Sequence, residues 1–149
     1  MSRSQNRVLT RAALDAQLAE LGRPPYAGPE TPAALRRGSL DAVLAAYDSG
    51  AEPHRVIVKA AVRFLLDVLV AAAPGKSVEV RVPPYAAVQC VEGLRHTRGT
   101  PPNVVEMDGP TWLALATGRA KWAEALHDGR IRASGSRADL SAHLPLTLP

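Results

Sequence analysis

SVEVRVPPYAAVQCV, residues Ser77–Val91, decides how the rest of the chain is read. Val78, Val80 and Val82 alternate with Glu79 and Arg81, the period of a strand with one face buried and one wet. Pro83-Pro84 interrupts it, because proline has no N–H to give to a ladder, and a second, more continuously apolar strand follows from Tyr85 to Val91. Strands joined by so few residues cannot be parallel neighbours, since a parallel crossover takes roughly a dozen residues or more. The pair is therefore an antiparallel hairpin, and a hairpin set among helices predicts an α+β domain.

Upstream, a long helix is expected from Pro53. Arg55, Lys59, Arg63 and Asp67 recur every four residues as its polar stripe, and apolar residues fill most of the rest up to Pro74-Gly75. So broad an apolar face implies a helix heavily buried against a sheet. Earlier still, Leu14, Leu18 and Leu21 define a short helix over Thr10–Leu21 that stops at Gly22. Pro24–Pro32 holds four prolines and Gly28 and reads as an extended linker or arm. Thr31-Pro32 then offers a cap and a first-turn proline, with Gly38 as an interruption, so one or two short helices are expected up to Tyr47. This divides the chain into a helical, Pro-rich segment over 1–50 and a domain over 51–149.

Downstream, RHTRGTPPNVVE (Arg95–Glu106) carries Arg95, His96 and Arg98 through a Gly-Thr-Pro-Pro turn into a third strand, Val104–Met107. Asp108 is placed to cap a helix containing Trp112 and Leu115 and closed by Gly118. Ala120–Asp128 supplies another, with Trp122, Ala125 and Leu126, ended by Gly129. Arg130–Ser134 alternates as a fourth strand, and Ser136 with Asp139 has capping-box spacing for a final helix holding Leu140 and Leu144.

The 149 residues carry 18 Lys and Arg against 14 Asp and Glu, a net charge of +4, but the two signs are interleaved and no basic tail exists. With one Phe, two Trp and three Tyr there is little to stack on bases, so nucleic acid is not an expected partner. The single Cys90 excludes a disulfide within the chain and a multi-thiolate zinc site, and suits a reducing, cytoplasmic setting. MSRSQNR at the start is polar, and the apolar run Val56–Ala73 is broken by Lys59, Arg63 and Asp67, so membrane insertion is not expected.

His54, His96, His127 and His143 lack metal-ligand spacing, and there is no GxSxG, Walker or GxGxxG motif; neither a metal nor a cofactor is expected. Cys90, mid-strand among apolar neighbours, suits core packing better than nucleophilic attack. Trp112 and Trp122 suit a core, or the lining of an apolar cavity.

Val104–Leu144 resembles the C-terminal half of the sterol carrier protein type-two family. The shared marks are a strand ending at Asp108, a helix closed by Gly118-Arg119, a second helix, a strand from Gly129-Arg130 to Ser134-Gly135, and an apolar end over Leu140–Leu144. The long helix and hairpin extend the resemblance over roughly Pro53–Leu148, and RVPPYAAVQCVEG with HTRGTPPNVVE is similar to the small actinobacterial branch of bacterial sterol carrier orthologues.

The resemblance implies a five-stranded, mostly antiparallel sheet with helices on one side, of which four strands are readable here. It also implies a noncatalytic module that takes a lipid, fatty acid or acyl-type molecule into an apolar pocket. Phe64, Val88, Val105, Met107, Trp112, Leu115, Trp122, Leu126, Leu140 and Leu144 would line that pocket, and Arg95, His96 and Arg98 would hold a carboxylate or phosphate at its mouth. A homodimer and a transient contact with an anionic membrane surface are left open. Domains of this kind also serve as accessory domains of mycothiol-dependent isomerases and transferases, which is the alternative reading; a structural interaction domain is another.

Overall fold

A computed structural model of the chain describes residues 8–93 and 103–149. They belong to two compact units, Met1–Phe64 and Leu65–Pro149. Among the described residues no helix is long and apolar enough to cross a membrane.

In the first unit, helix α1 (Arg11–Glu20) begins at Thr10, whose hydroxyl accepts from Ala13 N at 3.1 Å. Helix α2 (Pro32–Asp48) begins at Thr31, which caps Ala34 N at 3.2 Å. The expected interruption at Gly38 does not occur, and one 17-residue helix runs through it. A Cβ at Gly38 would lie 3.0 Å from Tyr26 Cε2 and 3.1 Å from Leu14 Cδ2. Glycine costs a helix about 1 kcal/mol relative to alanine, and here it lets Leu14 and Tyr26 close onto α2.

The Pro-rich stretch between these helices is tied down along α1. Tyr26 N donates to the Asp15 carboxylate at 2.7 Å, and Arg11 donates to Tyr26 O and to Glu30 at 2.9 and 2.8 Å. Helix α3 (Arg55–Ala72) also starts in this unit. The amide of Gln17, 1% exposed, accepts from His54 N at 2.6 Å and so satisfies a donor at the helix entrance.

The second unit holds the rest of α3 and a four-stranded sheet: β1 (Val78–Val82), β2 (Ala86–Cys90), β3 (Asn103–Met107) and β4 (Ile131–Ser134), in the order β2-β1-β3-β4. The hairpin forms as expected, with Val80 opposite Val88. β3 pairs with β4 antiparallel but with β1 in parallel, so the sheet is mixed. Cys90 and Asn103 flank the same residue, Val78, and lie two strand spacings apart, about 10 Å. β2 alternates between half-buried and exposed residues, where a continuously apolar strand was expected, because it is an edge strand.

Helices α4 (Gly109–Ala116) and α5 (Trp122–His127) follow. Asp108 caps α4 by accepting from Thr111 N at 2.8 Å. The expected final helix is reduced to one 3-10 turn, Ser141–His143. Asp139 accepts from Ser141 N, two residues ahead at 2.8 Å, an Asx turn that competes with the capping box. Leu146 N then donates to Ala116 O at 2.9 Å, fixing the C-terminal segment to the end of α4.

One corner joins several of these pieces. Ser77 donates through both N and Oγ to Val91 O, at 3.0 and 2.7 Å. Asn103, 4% exposed, donates to Ser77 O at 2.9 Å and accepts from Arg137 N at 2.8 Å. Replacing it orphans two backbone groups, so Asn103→Ala is expected to cost about 3 kcal/mol in chemical denaturation. Gln17→Leu, which strips the His54 N–H of its acceptor without removing bulk, is expected to cost about 2 kcal/mol in the same measurement. Stability unchanged in either variant would show that water replaces the lost partner.

Candidate functional site

Strand alternation in the second unit turns Val78, Val80, Val82, Cys90, Val105 and Met107 to one buried face. In α4 the cap and Pro110 fix the first turn, and Trp112 and Leu115, one turn apart, are both buried. α5 is only six residues long and turns Trp122 and Ala125 inward. Leu140 is fully buried on the segment held by the Leu146 to Ala116 bond.

Of the residues expected to line an apolar pocket, Val105, Met107, Trp112, Leu115, Trp122 and Leu140 are buried in this unit. Val88 on edge strand β2 and Leu144 beyond the 3-10 turn are half-buried, and Leu126 is 45% exposed. Phe64 belongs to the first unit, half-buried, with the Arg37 guanidinium 5.9 Å above its ring. These six side chains are withdrawn from solvent, whereas Val88, Leu126 and Leu144 reach it. Arg95, His96 and Arg98 lie outside the described residues.

The opposite sheet face is polar. Arg81 bonds Glu79, which with Glu106 raises the pKa of the guanidinium, and Arg132 reaches Glu106 at 4.0 Å. Glu79, Arg81 and Glu106 border a cleft of about 340 Å³ against Pro83, Pro84 and Tyr85. Its charges are matched among themselves, as on an ordinary solvated face.

His54 is paired with Glu20 at 2.8 Å, and His127 and His143 sit at the end of α5 and in the 3-10 turn. Among the described residues no three His, Cys, Asp or Glu side chains gather as a metal site. Sequence reading singled out Arg95 and Arg98 but passed over Asn103, whose buried amide secures the entry to β3; a lone Asn ahead of a strand gives no local sign of its partners.

Cys90 is fully buried beside Val78, and burial pushes its thiol up to about 11. A thiol held protonated inside is not a nucleophile. Native protein at pH 8 is expected to react with a disulfide reagent only as fast as it unfolds, whereas denatured protein reacts at once. Because the folded pKa is raised, this group's contribution to stability is fully present below the ordinary thiol value near 9.0. It is lost as pH rises toward 11. Rapid native labelling, or stability unchanged across that window, would contradict the burial.

A family model described as bacterial SCP ortholog matches residues 54–146, more than half of the chain. Among curated proteins none shows a significant match.

Proposed function

The chain belongs to the bacterial SCP ortholog family, and on that premise we propose that it is a noncatalytic carrier that binds a lipid or fatty-acyl chain. The observation that carries this reading is the family match over residues 54–146. The buried side chains of Val105, Met107, Trp112, Leu115, Trp122 and Leu140 supply the apolar surface such a ligand requires. Val88, Leu126 and Leu144, the apolar residues of this unit that reach solvent, are where we place the ligand's entry.

Apolar burial dominates the affinity, at about 25 cal/mol per Å². Arg95, His96 and Arg98 add charge-assisted contacts to the acid group, each worth on the order of 1 kcal/mol when exposed.

Protein purified from a bacterial host is expected to release an acyl lipid on extraction, seen as a mass shift in native mass spectrometry. It is also expected to bind a fluorescent fatty acid with a change in tryptophan emission, since Trp112 is wholly buried. Arg95→Ala with Arg98→Ala is expected to weaken that binding about ten-fold while the melting temperature moves by no more than a few degrees. An empty protein that fails to bind fluorescent fatty acids would overturn the carrier reading.

A further inference from the structure

A second apolar surface lies wholly inside the first unit. Two helix stripes face each other across a groove of about 550 Å³: Pro32, Leu35 and Arg36 on α2, and Val56, Lys59, Ala60 and Arg63 on α3. Both stripes follow helical spacing, with i, i+3 and i+4 on each and i+7 added on α3, so each presents a single face. Leu35 and Ala60 are buried and form the floor. Val8 and Leu9 close one end, and Val8 is 85% exposed at the rim.

The charge along this groove is one-sided. Lys59 and Arg63 are exposed, one helical turn apart, and among the described residues neither has an ion-pair partner. The one carboxylate in the lining, Glu30, is already held by Arg11 at 2.8 Å. Like charges at this spacing repel, and an anion placed between them relieves the repulsion.

We infer that this α2–α3 groove binds a small amphipathic anion, its aliphatic body on Leu35, Val56 and Ala60 and its carboxylate or phosphate between Lys59 and Arg63. Two features favour a small molecule. The volume falls within the roughly 300–1,000 Å³ of small-molecule clefts, and an apolar floor with one cationic edge matches a single chain ending in one acid group. The groove shares no lining residue with the apolar residues of the second unit, and six of its ten lining residues precede the family match at residue 54.

The test uses the full chain and monomeric decanoate, decyl phosphate and decanol, with affinities from calorimetry and contacts from amide chemical shifts. Decanoate and decyl phosphate are expected to bind at least ten-fold more tightly than decanol, with shifts clustered over 32–36 and 56–63. Lys59→Gln with Arg63→Gln is expected to abolish that preference as read from the shifts over 32–36 and 56–63, and to leave the melting temperature unchanged, since both side chains are exposed. Arg95→Ala with Arg98→Ala, which weakens fatty-acid binding at the carrier pocket, is expected to leave the preference read from the shifts over 32–36 and 56–63 intact, which separates the two sites.

Several results would overturn the inference: the preference over 32–36 and 56–63 unchanged in the glutamine variant, shifts confined to 104–144, no binding of any probe, or binding to phosphatidylglycerol vesicles without binding of the monomers. The third would leave the carrier reading to be judged by its own extraction experiment.

Discussion

The second unit depends on the hydrogen-bonded corner at Ser77 and Asn103. Ser77 holds the carbonyl of Val91 where the chain leaves β2, Asn103 holds the carbonyl of Ser77, and the Arg137 amide closes on Asn103. The start of β1, the exit of β2, the start of β3 and the turn after β4 are thus joined by polar contacts, of which the Asn103 to Ser77 bond is buried. The close approach of Gly75 belongs to the same corner, since a Cβ there would stand 2.2 Å from the Val91 carbonyl. Backbone groups left unmet in such a place would cost more than the bonds themselves contribute, so the network fixes strand order as well as adding stability.

From this corner the polarity of the sheet follows. Cys90 and Asn103 sit on either side of Val78, which makes β1 central and sets β3 parallel to it. The alternation of β1 and β3 then sorts side chains into a dry face carrying Val80, Val105 and Met107 and a wet face carrying Glu79, Arg81 and Glu106. The carrier reading proposed above uses the dry face. On the wet face the charges pair with one another.

Much of this was legible in sequence because it is local. Thr31 and Asp108 announced their helices through capping oxygens three residues from the amides they serve, and Val78 to Val82 announced a strand by alternation. What escaped was set by distant partners. Gly38 reads as a break until Leu14 and Tyr26 are seen to need the space, and the partners of Asn103 lie 26 and 34 residues away. Ser136 and Asp139 had helix-start spacing, but a shorter bond from Ser141 claimed the carboxylate. At the candidate sites, apolar residues were recognisable as apolar, while being buried or bordering a groove depends on tertiary placement. Lys59 and Arg63 read as one helix's solvent stripe and acquire a setting only when α2 is brought alongside.

The bond from His54 N to the buried amide of Gln17 bears on where this protein can be cut. Family similarity begins at residue 54, the residue whose N–H depends on an acceptor 37 positions earlier. A fragment trimmed to the matched region would open its long helix on an unmet donor. The matched region and the hydrogen-bonded helix entrance therefore have different left-hand edges, because Gln17, well before the match, supplies the acceptor at the start of the long helix.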